Sequence, residues 1–295
     1  MAVKLGATII LEKSFAFPQS IFQKLGDEKA TGFPLAPTMA AIILQMKNLR
    51  PSSLPHLRYI TTAGAAMAPA HFKRLQELFP ATRIYSMYGL TECKRATWLP
   101  ADQLSTRSAS VGPAIPGTEA YVVDEAGDRV GPGVIGELVI RGAHVMKGYW
   151  EAASATDQAL RPGPHPWEKV LHTGDLFRTD QEGCLYFVGR KDDIFQTRGE
   201  KVSPLEVENV LYKLPGVLEV VVVAVPDPIL GVVIKAVVVA DPDAGLTAAV
   251  IIRHCARHLE KYMVPKIVEF RSMLPKTETG KISRRPVEAS VPPPQ

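Results

Sequence analysis

The chain has 295 residues, 46% of them hydrophobic and 22% charged, which fits a soluble globular protein with a real core. Its formal net charge of +4 is too mild to argue for nucleic acid or an anionic membrane surface, though it is compatible with a phosphorylated ligand. Three cysteines, Cys93, Cys184 and Cys255, are odd in number and far apart, which points to neither a metal ribbon nor a disulfide framework and fits a reducing cytoplasm.

No run is long or apolar enough to span a bilayer. The first residues lack the charged head and small-residue cleavage pattern of a secretion signal. They read as a helix end at Leu5-Gly6 followed by a buried strand over residues 8–11. From there to about Arg95, strand-like runs at 8–11, 32–35, 59–62 and 82–86 alternate with helical patterns at 18–28, 37–47 and 69–78. Such alternation predicts an α/β layer with a mostly parallel sheet, and ligands bind beyond the carboxyl ends of such strands. Two loops stand at those ends. Thr62-Ala63-Gly64-Ala65-Ala66 is small enough for a flat ligand to approach the backbone, and Met87-Tyr88-Gly89-Leu90-Thr91-Glu92 follows the fourth strand.

From about Ser110 to Val188 the pattern changes to short strands at 120–124, 136–141 and 184–188, separated by turns such as Gly131-Pro132-Gly133. This predicts a small antiparallel β-subdomain, with Arg161-Pro162-Gly163-Pro164-His165-Pro166 as a surface loop. Residues 189–204 then pack charges between a strand and a helix start. Ser203 can cap, Pro204 suits the first helical position, and the following glutamates favour the positive helix end. Taken alone this stretch reads by default as a polar surface loop, with a joint between domains as the alternative. Beyond it come a helix at 204–214, strands at 219–225 and 232–240, a helix at 247–259 and a strand at 267–270, a compact α+β domain of roughly 90 residues.

Three motifs carry chemistry, and a further stretch reads as structural. Tyr88-Gly89-Leu90-Thr91-Glu92 offers a ring for a purine, a hydroxyl for a phosphate and a carboxylate for Mg²⁺; it also reads as a strand-end turn. His172-Thr173-Gly174-Asp175 sets a carboxylate in a tight turn before a strand, fit for both hydroxyls of a ribose or for a simple Asx turn. Gly136 to Gly142 and Gly148-Tyr149-Trp150 read as structural, an alternating strand and a packed aromatic pair. Thr279-Gly280-Lys281-Ile282 puts a lysine on a flexible loop, able to close over an anionic centre or to remain in solvent.

In this order and spacing the motifs resemble those of the adenylate-forming superfamily, which includes acyl-CoA and aryl-CoA synthetases, peptide-synthetase adenylation domains and firefly luciferase. The resemblance runs from about Gly32 to Arg285 and rests on residues 88–92, 136–150, 173–175, 189–193 and 275–281. It implies the C-terminal part of a large α/β adenylate-forming domain, comprising a partial sheet layer (1–110) and a β-rich subdomain (111–189). A hinge (190–193), a small α+β domain (194–287) and a disordered tail (288–295) follow.

It also implies two half-reactions. A carboxylate, here of fatty-acid type, attacks the α-phosphate of ATP, and a thiol of CoA or of a carrier protein's phosphopantetheine then displaces AMP. On the matching positions, Gly64, Ala65 and Ala66 would line the adenine pocket and Tyr88 would stack on adenine, with Gly89 in the same turn. Thr91 would touch phosphate, Glu92 would hold Mg²⁺, Asp175 the ribose, and Arg190 the ribose or phosphate. Lys281 would stabilise the charge of adenylation, Asp192 would be the pivot, and Arg198-Gly199-Glu200-Lys201 would face the site for thioester formation. Arg198, Lys201, Arg284 and Arg285 are candidate contacts to CoA phosphates, and Met87, Ala63 and Gly64 candidate contacts to the acyl group. The expected partners are a small carboxylic acid, ATP and CoA, with no nucleic acid. The phosphate loop ending in Pro-Lys-Gly that the resemblance calls for is not found in the sequence. The expectation is therefore a fragment, a split gene that pairs with a separately encoded N-terminal half, or a truncated remnant; an acyl carrier protein is the alternative acceptor to CoA.

Overall fold

A computed structural model describes residues 3–46, 49, 54–62, 64–228, 230–277, 281–284 and 287. The first layer is a sheet of four strands: β1 (Gly32–Leu35), β2 (Tyr59–Thr62), β3 (Arg83–Tyr88) and β4 (Thr97–Trp98). The first three are parallel, with Phe33, Ile60 and Ile84 in line, and β4 closes the edge antiparallel, Met87 opposite Trp98. Helices α1 (Pro18–Asp27), α2 (Pro37–Ile43) and α3 (Pro69–Leu78) each begin on a proline, whose fixed φ and missing N–H suit the first turn. Phe22, Phe33, Ile43, Ile60, Phe72 and Leu75 form one buried cluster beneath them. Because β1 to β3 run the same way, the segments leaving their carboxyl ends emerge at one edge of the sheet.

Residues 8–11, expected as a buried strand, carry no regular structure, and Ile9 and Leu11 are 51% and 82% exposed. A strand persists only where a neighbour accepts its backbone hydrogen bonds, and among the described residues none lies alongside this run. Helix α2 ends at Ile43, short of the expected extent, whose last residue, Lys47, lies outside the described residues.

The second layer is antiparallel, in the order β5 (Thr118–Val123), β6 (Gly136–Gly142), β8 (Lys169–Thr179), β7 (Leu160–Pro162), with β9 (Leu185–Arg190) also on β8. Helix α4 (Ala153–Ala159) precedes β7. The long strand β8 replaces the expected turn at Thr173 to Asp175. Its ladders to β6 and β9 hold the chain extended on both sides, and the irregularity is absorbed as shifts in register, with Gly174 at φ +68°. The expected aromatic pair at 149–150 does not pack as one: Trp150 is 89% exposed, whereas the Tyr149 hydroxyl is engaged by Glu92.

After a turn at 191–193 comes a hairpin of β10 (Phe195–Thr197) and β11 (Glu200–Val202), then α5 (Pro204–Leu211), β12 (Val217–Asp227), β13 (Gly231–Ala240), α6 (Ala248–His258) and β14 (Ile267–Phe270). The sheet order is β12-β13-β14, the last pair parallel. Its valine runs are continuous because both faces are covered. Val207, Leu211, Ile251 and Cys255 pack on Val220, Val222 and Ile234, while Leu274 and Val287 cover Val221, Val223 and Val237. Ser203 stands at the start of α5 but makes no capping bond; its hydroxyl donates instead to the Val188 carbonyl at 2.6 Å, tying the helix to β9. The tail expected to be disordered, 288–295, lies outside the described residues.

Candidate active site

The edge where β1, β2 and β3 end opens into a cavity of about 860 Å³. Its floor is made of Gly64, Ala65 and Ala66 after β2 and of Tyr88 to Glu92 at the end of β3. Asp175 enters from β8 and Arg190 from the end of β9, while Lys281, Glu208 and Tyr212 close it from the third layer. Side chains far apart in sequence meet here because three sheets converge on one edge.

Local chemistry explains each placement. Gly89 has to be glycine, since a Cβ there would lie 1.8 Å from the Lys94 carbonyl oxygen. Gly64 sits at φ +93°, and a Cβ on it would stand 3.7 Å from Lys281 Cε, so the small loop and the lysine stem are in near contact. The Tyr88 ring packs edge-on against Phe177, 4.9 Å between centroids, and its hydroxyl donates to Asp175 Oδ2 at 2.6 Å. Burial and the adjacent carboxylate push the Tyr88 phenol well above its usual range. Burial also raises the Asp175 carboxyl, against the pull of Tyr88 and Arg190. Asp175 Oδ1 is buried, accepts no hydrogen bond, and lies 3.4 Å from Arg190 Nε. A buried acceptor without a donor costs roughly 1–3 kcal/mol, so this oxygen fits a ligand that brings hydroxyls.

Glu137 holds the bulge that carries Asp175. Its Oε1 accepts the Gly174 N–H at 3.0 Å, its Oε2 lies 3.6 Å from His172 Nδ1, and Lys191 Nζ is 3.8 Å away. The neighbouring His172 ring holds its carboxyl down at about 2 against the opposing cost of burial, with the Gly174 N–H and Lys191 adding to the effect. Glu92 Oε1 accepts the Tyr149 hydroxyl at 2.5 Å, a bond that lifts the phenol to about 12, and the Glu92 carbonyl accepts the Met146 N–H at 2.7 Å. Among the described residues no group of three or more His, Cys, Asp or Glu could hold a metal by itself. A lone carboxylate at the cavity edge fits Mg²⁺ that arrives with a nucleotide's phosphates, which need only one or two protein ligands.

The structure gathers Gly64, Ala65, Ala66, Tyr88, Gly89, Thr91, Glu92, Asp175, Arg190 and Lys281 around this one cavity, with Met87 buried in its wall. It leaves Arg198, Gly199, Glu200 and Lys201 outside, exposed at the β10–β11 turn, where Lys201 Nζ lies 3.4 Å from Glu125. Asp192 is exposed in the turn between the second and third layers. Arg284 is engaged inside the third layer by Glu208, which leaves its guanidinium little freedom for a CoA phosphate. Arg285, Ala63, Thr279 and Gly280 lie outside the described residues. The sequence reading missed Tyr149, Glu137, His71 and Glu208. The only available signal for Glu208 was a glutamate on the buried face of an otherwise apolar helix pattern.

The model described as AMP-binding enzyme matches residues 1–150, and the model described as AMP-binding enzyme C-terminal domain matches residues 206–281. The chain belongs to the AMP-binding enzyme family. Among its AMP-binding relatives is the long-chain-fatty-acid–CoA ligase of Escherichia coli O157:H7, 43% identical over 67% of this chain and 34% of the relative. The corresponding ligase of Bacillus subtilis is 34% identical over 96% of this chain and 50% of its own length. The chain thus spans between a third and a half of these relatives. Among solved structures, ATP-bound MatB from Rhodopseudomonas palustris superposes with a TM-score of 0.84 at 29% identity, over 96% of this chain and 55% of MatB. The anthranilate CoA ligase AuaEII in complex with anthranoyl-AMP does so at 0.87 and 28%, over 97% and 54%. The expected adenylate-forming fold is the one shared with these proteins. Among the described residues no helix is long and apolar enough to cross a membrane.

Proposed function

We propose that the chain is the nucleotide- and lysine-bearing part of an ATP-dependent acyl-CoA ligase that activates a fatty-acid-type carboxylate as its adenylate. The carrying observation is the placement of Lys281 against Gly64 in the same cavity as Asp175, whose buried Oδ1 has no donor. In this reading Asp175 accepts the ribose hydroxyls, held in place by Tyr88 and by the Glu137-supported bulge. Adenine lies on the Gly64–Ala66 side near Tyr88, and Arg190 and Thr91 approach the phosphates. Glu92 holds Mg²⁺, which neutralises charge on the phosphates.

In the first half-reaction a carboxylate oxygen forms a bond to the α-phosphorus, and the bond to the pyrophosphate oxygen breaks. Negative charge builds on the transferring phosphoryl group, and the Lys281 ammonium, a compact point charge, stabilises it. In the second, a thiolate sulfur bonds to the acyl carbon and AMP leaves with the carboxyl oxygen. That step brings the exposed Arg198–Lys201 turn to the cavity by rotation about Asp192, exchanging it for Lys281. The three buried, free cysteines support a reducing compartment, the cytoplasm.

The test is carboxylate-dependent exchange of pyrophosphate into ATP, with the chain alone and with any in-frame upstream sequence expressed beside it. CoA and a phosphopantetheinylated carrier protein are then offered as acceptors. Exchange with a long-chain acid followed by acyl-CoA release is the expected result. Absence of exchange with every acid, in the completed protein, would refute the ligase reading, and transfer to the carrier alone would reassign the acceptor.

A further inference from the structure

The segment carrying Lys281 is gripped on both flanks by buried carboxylates of the third layer. On one side the Lys276 ammonium meets Glu219 Oε1 on β12 at 2.6 Å. On the other, Arg284 Nη2 reaches both oxygens of Glu208 on α5, at 2.6 and 2.8 Å. Both glutamates are 6% exposed, and both border the cavity. Glu208 Oε1 also accepts the Val222 N–H at 2.9 Å, so one carboxylate joins α5, β12 and the Lys281 segment. Between the two ion pairs the chain doubles back. Lys276 and Ile282 form a bridge, Thr277 N–H donates to the Lys281 carbonyl at 2.8 Å, Lys281 N–H donates to Thr277 Oγ1 at 3.1 Å, and Ser283 N–H donates to the Pro275 carbonyl at 2.9 Å.

With both carboxylates buried and their cations only partly exposed, desolvation offsets much of the attraction, so these pairs add little net stability. The third layer already has two apolar clusters to hold it together. What two charged pairs add is position, since each fixes a direction and a distance that apolar contacts leave free. A displacement of about 1 Å in a catalytic group costs on the order of 100-fold in rate.

We propose that Glu208 and Glu219 are positioning residues for Lys281, acting through Arg284 and Lys276; the role in catalysis rests on reading Lys281 as the adenylation lysine. Both glutamates belong to the same layer as Lys276, Lys281 and Arg284, so these residues keep their mutual positions when that layer turns. Arg284 Nη1 also lies 3.5 Å from Asp193 Oδ2, beside the pivot residue Asp192, which links the loop to the joint.

The test uses the full chain carrying Glu208→Gln, Arg284→Met or Lys276→Met, with the parent as reference. Amide hydrogen exchange at Thr277, Lys281 and Ser283 is measured first, because it needs no activity. We expect protection at these amides to fall about 10-fold or more while that of β12 and β13 is kept. Adenylate formation then falls about 30-fold with the ATP KM within about 3-fold, and thioester formation from supplied acyl-adenylate is spared. Unchanged protection, or equal losses in both half-reactions, would overturn the proposal. If the parent forms no adenylate even with in-frame upstream sequence expressed beside it, the ligase reading fails and the exchange data alone decide the clamp. Should Glu208→Gln fail to fold, Lys276→Met, on a flank with 33% side-chain exposure, carries the same test.

Discussion

Tyr88 donates its hydroxyl to Asp175 Oδ2 across 2.6 Å, joining two residues 87 positions apart into one polar unit at the cavity wall. The ring is anchored by Phe177, and the carboxylate by the bulge in β8. Tyr88→Phe keeps the ring and removes the donor. Both Asp175 oxygens then lack a hydrogen bond, which costs about 1–3 kcal/mol in urea unfolding and weakens AMP binding about 10-fold by calorimetry. Unchanged AMP affinity would show that Asp175 does not hold the ribose.

His71 gives a pH signature. It is buried in α3 with its ring edge-on to Tyr212, 4.8 Å between centroids, and burial lowers its pKa from 6.5 to about 4. The unfolded chain therefore binds the proton more readily than the folded one. The stability from neutral His71 is fully present above about pH 6.5 and is lost as the pH falls towards 4, worth about 3 kcal/mol at most. His71→Leu should flatten the fall in unfolding free energy between pH 6.5 and 4.5. An unaltered slope would place the acid sensitivity elsewhere.

Tyr149 donates to the carboxylate proposed to hold Mg²⁺. Tyr149→Phe frees Glu92 from that bond, worth about 0.5–1.5 kcal/mol at a partly exposed site. The Mg²⁺ concentration giving half-maximal adenylation is expected to move about 3- to 10-fold. No movement would separate Glu92 from the metal.

Asp192 lies exposed in the turn at 191–193, where a change of backbone torsion meets little packing. Asp192→Pro fixes φ at that point. Adenylation should be largely kept while thioester formation falls about 10-fold or more. An unchanged second half-reaction would remove Asp192 as the pivot.

The α/β layer was legible because periodicity reports it directly: strands 32–35 and 59–62 and helix 69–78 appear where the alternation puts them. Residues 8–11 have the same apolar look and form no strand, since pattern alone does not supply a pairing partner. Strand β8 was hidden by Gly174-Asp175, which in sequence signals a turn and in the fold is a bulge held by neighbours on both sides. The cavity residues on the β2 and β3 loops were legible from loop position. The grip of Glu208 on Arg284 was not, because 76 residues separate them and only tertiary packing brings a buried glutamate to a guanidinium. Ser203 was misjudged for a related reason: the backbone of β9 competes for its hydroxyl and wins it from the helix.

Lys281, set against Gly64 beside Asp175, is assigned to adenylation and not to thioester formation. The most direct measurement is the rate of each half-reaction in Lys281→Ala against the parent, with acyl-adenylate supplied for the second. Loss of one preorganised charge predicts a fall of about 100- to 1,000-fold in adenylation, with thioester formation within about 3-fold of the parent. Equal losses in the two half-reactions would contradict the role assigned to Lys281.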